Sequence, residues 1–405
     1  MRGWRFVVVM VVLCLASRSS MGAAPTLSQA ERDAGWALLF NGHDLTGWTM
    51  SGGNPEAWAV NGDNELFVAK PGEGWWLRTD RMYRDFELTL DFFLPPGANS
   101  GVGVRGSSDG DPAFTGMEIQ ILDTHGQEPD VHNCGAVYEA IAPSAMAVNP
   151  PGQWNSYRIM LVGDTLNVWL NGVRIHAGEK IDSRGYFRSP ESPLPMNARA
   201  TTGYIALQDH GHAVRFRNIK IRDLSTDPEP TGMTPVVLND SMMRKGGGAW
   251  EGSGRTIIGR DGPGHLFTDE LPGDIEIRAL VKVSVEGNSG LYFRTVPNKD
   301  NPDSWPTGYE AQVDNDDPVN FTGCIYDRAH TAPPYEGRGC FTRDEVWFDY
   351  RIRAEGDHIR TWINGIPVVD ARLDNFDSGR IALQTHNPGS VIEYRDLRWI
   401  EIKPE

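Results

Sequence analysis

Residues 99–105 read Asn-Ser-Gly-Val-Gly-Val-Arg, and residues 288–294 read Asn-Ser-Gly-Leu-Tyr-Phe-Arg. The same Asn-Ser-Gly triplet, followed at the same spacing by arginine, therefore occurs twice in one chain of 405 residues. A sequence pattern that returns within a chain indicates a structural unit that has been duplicated.

Five further pairs of segments repeat in the same order on either side of this motif. They are 116–120 with 308–312, 135–138 with 323–326, 154–159 with 347–352, 169–172 with 362–365, and 205–208 with 381–384. The segment between the copies contains Pro228, Pro230, Gly232 and Pro235, a composition typical of a linker. We therefore predict two tandem domains at residues 26–224 and 236–405, joined by a linker at 225–235.

Both copies have the pattern of short β-strands. Residues 87–92 alternate polar and apolar side chains, which is the period of a half-buried strand. The Asn171-Gly172 and Asn364-Gly365 pairs are typical of tight hairpin turns. With 45 Gly and 27 Pro in the chain, long helices are disfavoured. The prediction is an all-β protein made of two tandem jelly-roll β-sandwiches.

The first 24 residues have the layout of a signal peptide. Arg2 and Arg5 precede an apolar run over 6–16, and small residues follow as far as Ala24. The apolar run is shorter than the roughly 20 residues that a membrane-spanning helix needs. We expect residues 1–24 to be removed on export to the periplasm or the medium, with no membrane span in the remainder.

The chain is acidic, with 54 Asp and Glu against 38 Lys and Arg and a formal net charge of −16. Loss of the leader would remove Arg2, Arg5 and Arg18 and make the charge more negative. Such a surface repels nucleic acid and anionic membranes but not neutral sugars. In an oxidising compartment Cys324 and Cys340 are the expected disulfide pair, and three buried free thiols, with Cys134, are the alternative.

The segment 116–123 is the most informative for function. Alternation along a strand places Glu118 and Gln120 on one face and Met117, Ile119 and Ile121 on the other. A β-bulge would bring Asp123 to the face of Glu118, and bulges are frequent beside active sites. In the second copy Glu310, Gln312 and Asp314 share one face without any bulge.

This polar row occurs in both copies beside a repeated arginine, Arg105 or Arg294. A solvated strand face is the alternative, but the repetition favours a functional site. His210 follows the strand at 204–208, and His386 holds the matching position in the second copy. A histidine there can act as base, acid or hydrogen-bond donor near neutral pH.

Other side chains near this row could contact a ligand. Trp75, Trp76 and Tyr138 could stack on a sugar ring, although most aromatic residues of a sandwich lie in its core. Asp123, His125, Asp130 and His132 are ordinary ligand types for a divalent cation, but their spacing matches no specific metal motif. We therefore expect no cofactor, with a metal at these four residues as the alternative.

Taken in order, the motifs resemble the 3-keto-disaccharide hydrolase family over residues 34–224. The resemblance rests on Phe-Asn-Gly-His-Asp-Leu-Thr-Gly-Trp at 40–48, the 99–105 motif, Gly-Met-Glu-Ile-Gln-Ile-Leu-Asp at 116–123, Trp-Asn at 154–155, Leu-Gln-Asp-His-Gly at 207–211 and Phe-Arg-Asn-Ile at 216–219. It implies a concanavalin A-like jelly roll with the Glu-x-Gln strand on the concave sheet. It also implies cleavage of glycosides whose sugar carries a ketone at carbon 3, by elimination and hydration or by direct hydrolysis.

Within this resemblance, Glu118, His210 and Asp123 are the expected catalytic residues. The expected substrate-binding residues are Arg105, Gln120, Tyr138, Trp75 and Asp209. The second copy departs from the motifs at Thr385, Asn387 and Phe348 but keeps Arg294, Glu310, Gln312, Asp314 and His386 as a possible second site. These departures favour the first domain for catalysis. A non-catalytic carbohydrate-binding module and a surface interaction module are the alternative functions.

Overall fold

The computed structural model describes residues 24–108, 110–184, 195–226, 228–269, 273–329 and 342–403. The expected leader, residues 1–24, lies outside these ranges except for its last residue, so export stays a prediction. Within the described ranges, no helix combines the length and the apolar character needed to cross a membrane.

The first domain consists of short strands and two short helices. The helices are α1 (Gln29–Asp33), which begins with a capping box at Ser28 and Glu31, and α2 (Pro112–Thr115). A 3-10 turn spans Met196–Ala198. The strands are β1 (Trp36–Leu38), β2 (Trp48–Met50), β3 (Trp58–Val60), β4 (Leu66–Val68), β5 (Trp76–Tyr83), β6 (Phe86–Phe93), β7 (Asn99–Gly106), β8 (Met117–Leu122), β9 (Trp154–Val162), β10 (Thr165–Leu170), β11 (Val173–Lys180), β12 (Gly203–Gln208) and β13 (Arg215–Asp223).

The described part of the second domain contains strands only. They are β14 (Thr234–Pro235), β15 (Met243–Gly246), β16 (Ala249–Ser253), β17 (Thr256–Arg260), β18 (Gly264–Phe267), β19 (Ile275–Val283), β20 (Asn288–Val296), β21 (Thr307–Asp314), β22 (Phe348–Glu355), β23 (His358–Ile363), β24 (Ile366–Arg372), β25 (Arg380–Thr385) and β26 (Val391–Glu401).

Each domain pairs a large sheet with a small one. In the first domain the large sheet has the order β11-β10-β9-β6-β13-β4-β3, with β1 beside β13, and the small sheet has the order β2-β5-β12-β7-β8. The second domain repeats this plan as β16-β17-β26-β19-β22-β23-β24, with β14 beside β26, and as β15-β18-β25-β20-β21. The matching order confirms the predicted duplication of one all-β sandwich.

The core of each domain lies between its two sheets. On β8 the apolar residues Met117, Ile119 and Ile121 face this core, as the alternation predicts. On β6, Leu88, Leu90 and Phe92 meet them from the large sheet. The inner face of the small sheet is therefore fully used for packing, and its outer face is left for polar side chains.

A short arm extends the small sheet beyond β8. The backbone N–H of Gln120 donates to Ala136 O (2.9 Å), and the N–H of Tyr138 donates to Glu118 O (2.9 Å). The second domain repeats the pairing, with the N–H of Gln312 on Cys324 O and the N–H of Tyr326 on Glu310 O. The repeated segments 135–138 and 323–326 therefore pair with the edge of the small sheet through isolated bridges and hold a tyrosine beside each glutamate.

The two domains contact each other directly. Tyr204, on β12, donates a hydrogen bond from Oη to Asp396 Oδ1 (3.1 Å) and accepts one from Arg255 Nη1 (2.7 Å). Around it, Met82 and Tyr204 of the first domain form an apolar cluster with Leu280 and Trp347 of the second. One end of the first small sheet is thus packed against the second domain.

The segment predicted as a linker is attached to the second domain. β14 pairs with β26, and the Glu229 carboxylate binds Arg398 from both oxygens, at 2.9 Å to Nε and 2.5 Å to Nη2. Both side chains are almost fully buried. Residues 228–235 therefore run along the second domain, whereas Ser225 bonds to Asp85 of the first, and the predicted linker boundaries stay a prediction.

Two of the cysteines outside the leader lie within the described ranges. Cys134 is buried, with its sulfur 3.4 Å from Tyr157 Oη, and Cys324 is also buried. Burial raises the pKa of the Cys134 thiol to about 11, which makes it an unreactive core group at neutral pH. Cys340 lies outside the described residues, so the Cys324–Cys340 disulfide stays a prediction.

Removing one partner of the Glu229–Arg398 pair should destabilise the protein. We expect Glu229→Ala to lower the free energy of unfolding by about 3 kcal/mol, because it leaves a buried guanidinium without its carboxylate. Urea unfolding followed by tryptophan fluorescence measures the change. The matched control is Lys180→Ala, which removes an exposed ion pair with Asp164 and should change stability by less than about 1 kcal/mol. Equal midpoints for the two variants would contradict the anchoring role.

Candidate functional site

The outer face of each small sheet carries a polar cavity. In the first domain it measures about 120 Å³ and is lined by residues of β7, β8, α2, the arm and the end of β12. The lining residues are Asn99, Asp111, Ala113, Phe114, Glu118, Gln120, Tyr138, Gln208 and His210. Four of the predicted site residues, Glu118, Gln120, Tyr138 and His210, are therefore brought together.

Glu118 lies at the base of this cavity and is only 3% exposed. Within the described residues its carboxyl group has no hydrogen-bond or ion-pair partner. Burial, and to a smaller extent the negative charge of Asp111, raise the pKa of Glu118 well above its ordinary value. An unpaired carboxyl group of this kind is suited to accept a proton from a bound molecule.

The repeated Asn-Ser-Gly motif explains how the glutamate is accommodated. Ser100 Oγ donates to Gln208 O (2.8 Å), which ties β7 to β12. A Cβ atom at Gly101 would lie 1.9 Å from Glu118 Oε1, so only glycine leaves room for the side chain above it. Gly290 has the same role under Glu310, at 2.3 Å. Asn99 and Asn288 line the two cavities.

The first cavity is narrow because helix α2 covers part of the sheet. Pro112 packs against Gly103 and Gly106 so closely that a Cβ at either glycine would lie within 2.9 Å of its ring. The indole ring of Trp76 is fully buried and contacts Ala113 and Ala206. Asp111 caps α2, accepting from the N–H of Ala113 (3.0 Å), and burial raises its pKa. The helix thus forms one wall of the site.

The cavity of the second domain is much larger, at about 600 Å³. It contains Glu310, Gln312 and His386 of the predicted second site. Its other lining residues are Asn288, Tyr292, Trp305, Pro306, Gly308, Asp317, Tyr326, Asp327, Arg328 and Gln384. Trp305 and Pro306 lie in the segment between β20 and β21, where the first domain has α2.

Glu310 is part of a short hydrogen-bond chain. Tyr292 Oη donates to Glu310 Oε2 (2.6 Å) and accepts from Gln384 Nε2 (3.0 Å). With its amide oriented to satisfy both groups, Gln312 donates to Glu310 Oε1 (3.2 Å) and to Ser289 O (3.0 Å). Burial raises the pKa of Glu310 to about 7, although the hydrogen bonds from Tyr292 and Gln384 lower it in part. Close to neutral pH this group exists in both protonation states.

Two exchanges distinguish the second cavity from the first. By register, Tyr292 on β20 opposes Glu310 as Gly103 on β7 opposes Glu118. His265 on β18 pairs with Gln384 as Trp76 on β5 pairs with Gln208. The first domain therefore has a small residue, Gly103, and a large one, Trp76. The second has a large residue, Tyr292, and a medium-sized one, His265, at the same places. Burial lowers the pKa of His265 to about 4, so its ring is neutral at physiological pH.

An aromatic pair stands at the mouth of the second cavity. The rings of Trp305 and His386 are stacked, with centroids 5.0 Å apart and planes inclined by 19°. The ring of His265 meets Trp305 edge-on at 5.6 Å. Trp305 is 45% exposed, so a large part of this positioned indole remains open to solvent.

The predicted arginines do not reach either cavity. Arg105 is buried, and its guanidinium donates to Arg84 O from Nε (2.9 Å) and Nη2 (2.6 Å). Arg294 donates to the carbonyls of Gly273, Gly356 and Phe376 and pairs with Asp274. Their recurrence therefore reflects a shared structural role, because each arginine satisfies loop carbonyls at the end of the small sheet.

The bulge expected before Asp123 is absent, because β7 and β8 pair in regular register from Asn99 to Val104. Asp123 follows the end of β8 and accepts from the N–H of Gly97 (2.8 Å), outside the cavity lining. Asp314 does lie on its strand, as expected. It accepts from Asn288 Nδ2 (2.8 Å) and so positions a lining residue without lining the cavity itself.

Two more expected substrate-binding residues lie beside the first cavity and not in its lining. Asp209 is buried and accepts backbone hydrogen bonds from Gly72, Gly74 and Gly211. It therefore fixes the loop before β5. Trp75, in that loop, is partly exposed and lies against Gly52.

The four residues considered for a metal are not gathered around one point. His132 Nδ1 lies 2.8 Å from Asp130 Oδ1, whereas His125 Nδ1 lies 2.8 Å from Val148 O. In the part of the chain that the structure describes, no group of three or more His, Cys, Asp or Glu side chains is placed to bind a metal ion.

Several lining residues were not predicted as site residues from the sequence. Asn99, Gln208, Asn288 and Gln384 belong to the repeated motifs, so their recurrence was an available signal. Asp111, Phe114, Tyr292 and Trp305 have no counterpart of the same type in the other copy. Their place in the site depends on how α2 and the 297–306 segment fold over the sheet.

Comparison with known proteins shows that both domains are similar to one protein family. A family model described as a 3-keto-alpha-glucoside-1,2-lyase-like domain matches residues 35–222 and again residues 239–400. A protein of Bacteroides thetaiotaomicron named 3-keto-disaccharide hydrolase is 24% identical over 256 residues, covering 52% of this chain and 88% of its own.

Solved structures from Parabacteroides distasonis, provisionally described as glycosyl hydrolases, also match this chain. One is 28% identical and covers 50% of this chain and all of its own, with a TM-score of 0.40. Another is 32% identical and covers 47% of this chain and 99% of its own, with a TM-score of 0.39.

The fit between glycine and glutamate can be tested by a double-mutant cycle. We expect Gly101→Ala to lower the free energy of unfolding by about 1–3 kcal/mol, because its Cβ overlaps the buried Glu118 side chain. In a Glu118→Ala background the same change should cost less than about 0.5 kcal/mol, since the overlap is gone. Urea unfolding of the four proteins measures the coupling. If Gly101→Ala lowers the free energy of unfolding equally in both backgrounds, a Cβ atom at position 101 does not overlap the Glu118 side chain.

Proposed function

Because this chain belongs to the family of 3-keto-alpha-glucoside-1,2-lyase-like domains and carries two copies of the domain, we propose that it cleaves glycosidic bonds of sugars oxidised at carbon 3. The substrate is a glycoside or disaccharide with a ketone in the ring, and a glutamate of the small sheet is the base. The relation to a 3-keto-disaccharide hydrolase at 24% identity supports the same class of substrate.

The proposal is carried by a glutamate without a basic partner in each domain, buried in the first and half-buried in the second. A ketone at carbon 3 acidifies the hydrogen on carbon 2, and a base of raised pKa is well matched to removing it near neutral pH. Burial raises the pKa of both Glu118 and Glu310. Each also lies beside a glutamine and a histidine that line the same cavity.

The elimination would proceed in two steps. The glutamate takes the proton from carbon 2, and the electron pair of the broken C–H bond is delocalised onto the oxygen at carbon 3. That pair then forms a double bond between carbons 1 and 2, while the bond to the substituent on carbon 1 breaks and the leaving oxygen takes a proton. Addition of water across the double bond completes the net hydrolysis.

The neighbouring groups have roles that follow from their chemistry. Amide and imidazole N–H groups can donate hydrogen bonds to the oxygen at carbon 3 as negative charge develops there. We assign this role to Gln120 and His210 in the first cavity and to His386 in the second, because both N–H groups of Gln312 already donate to Glu310 and Ser289. Direct hydrolysis by two carboxyl groups is the competing chemistry, with Asp111 as the second group in the first cavity.

The reaction is tested by release of p-nitrophenol from a p-nitrophenyl 3-keto-glucoside. We expect turnover of this compound and almost none of the ordinary glucoside, whose carbon 2 hydrogen is not acidified. The double variant Glu118→Gln/Glu310→Gln should lose about 10²- to 10⁴-fold in rate, because glutamine cannot accept the proton. Equal turnover of the two glucosides, or full activity of the double variant, would refute the proposal.

Elimination and direct hydrolysis are separated by deuterium at carbon 2 of the 3-keto-glucoside. If the reaction is an elimination, deuterium should slow it, because the bond between carbon 2 and its hydrogen breaks. The hydrogen at carbon 2 of the product then comes from solvent. Direct hydrolysis keeps the deuterium. Mass spectrometry of the released sugar, against an enzyme-free incubation of equal length, measures the retained fraction.

The pH dependence tests the second site separately. In a Glu118→Gln background we expect kcat/KM to rise with pH through about 7, because only the carboxylate form of Glu310 accepts a proton. Tyr292→Phe removes a hydrogen bond that lowers the pKa of Glu310, so the rise should move to higher pH. The other titratable or charged groups of this cavity are His386, Tyr326, Asp317, Asp327 and Arg328. A rise near the ordinary glutamate value of 4.5 would contradict the role of Glu310.

A further inference from the structure

We propose that the glycoside is bound in the cavity of the second domain, with a neutral sugar ring stacked on Trp305 and its hydroxyl groups bound by the amide oxygens of Asn288 and Gln384. This inference rests on the proposed function, since it names the site at which that reaction occurs. It departs from the sequence motifs, which favour the first domain.

The first argument is the space available. Cavities that bind small organic ligands usually measure roughly 300–1,000 Å³. The second cavity, at about 600 Å³, lies within this range, whereas the first, at about 120 Å³, lies below it. The difference has a local cause, because α2 covers the first sheet and no helix is found over the second within the described residues.

The second argument is the aromatic platform. The apolar faces of a pyranose ring pack well against a flat aromatic ring, and the Trp305 side chain is exposed enough for such a contact. Its other contacts, the stacked ring of His386 and the edge of His265, hold the indole in place before any ligand arrives. A positioned side chain loses little conformational entropy on binding, which favours affinity.

The second cavity also contains a pair of unused acceptors, as the first cavity does at Asn99 and Gln208. Gln384 is 1% exposed, and its Oε1 atom has no hydrogen-bond partner among the described residues; the same holds for Oδ1 of Asn288. Both side chains line the cavity. A buried acceptor left unpaired is costly, so these two atoms are suited to sugar hydroxyl groups that would donate to them.

The charge of the residues that line the second cavity also indicates which class of ligand it binds. The groups around Glu310 are the hydroxyl of Tyr292 and the amides of Gln312 and Gln384, all uncharged. Arg328, the cation of the lining, bonds to Asn375, and Asp317 and Asp327 lie in the same lining. A neutral disaccharide fits this set, whereas an anionic sugar would meet an acidic wall.

Binding is tested separately from turnover with unoxidised disaccharides, which the proposed chemistry leaves intact. Isothermal titration of the full chain with trehalose, maltose and cellobiose should show binding of at least one of them. Trp305→Ala should weaken it by about tenfold or more, as expected for the loss of a central aromatic contact, and Trp305→Phe should restore most of it. The matched control is Trp362→Ala, in the same domain but on the large sheet. Unchanged melting temperatures establish that the variants are folded.

The outcomes separate the two proposals. Binding that Trp305→Ala weakens and Trp362→Ala does not supports the inference, even if no 3-keto-glucoside is cleaved, in which case the proposed reaction alone fails. If the 3-keto-glucoside is cleaved but Trp305→Ala leaves kcat/KM unchanged while Glu118→Gln abolishes it, the inference is overturned and the reaction stands. Absence of any binding, or equal weakening by both tryptophan variants, also overturns the inference.

Discussion

Each domain shields a glutamate carboxyl group from water on the outer face of its small sheet, and much of the surrounding structure follows from that constraint. A carboxylate removed from water without a cation nearby is strongly disfavoured, so its pKa rises and the group holds its proton to higher pH. Glu118 and Glu310 have no ion-pair partner within the described residues. The side chain also needs space, which is why Gly101 and Gly290 lie beneath it on the neighbouring strand.

The two copies solve the same packing problem differently. In the first domain Trp76 and α2 cover the outer face of the sheet above Gly103, and the cavity that remains is small. In the second domain Tyr292 occupies the position of Gly103, its hydroxyl bonds to Glu310, and His265 stands where the indole would be. With the helix also replaced by a segment that carries Trp305, the same sheet has acquired a wider cavity and a carboxyl group in a defined hydrogen-bond chain. The two copies thus share one sandwich and differ in the cavity on its small sheet.

Residues that recur in both copies do not all serve the site. Arg105 and Arg294 bind loop carbonyls, and this fixes the ends of strands that line the two cavities. The contact of Tyr204 with Asp396 and Arg255, together with the buried Glu229–Arg398 pair, attaches the first domain and the connecting segment to the second. A residue that recurs in both copies therefore has a similar environment in each. Only its contacts show whether it lines the cavity or holds the strands in place.

The sequence alone was sufficient for the architecture and for the centre of each site. Period-two alternation at 116–122 and the ordered repeats carry enough information for two β-sandwiches, because alternation decides which face is buried and repetition decides how often the unit occurs. The same alternation places Glu118 with Gln120 and Glu310 with Gln312. Only the tertiary structure decided that Arg105 and Asp123 lie outside the cavity, that α2 narrows the first site, and that Tyr292, Trp305 and Gln384 surround Glu310. These contacts join residues far apart in the chain, and their geometry depends on strand register and loop packing, which local sequence patterns do not encode.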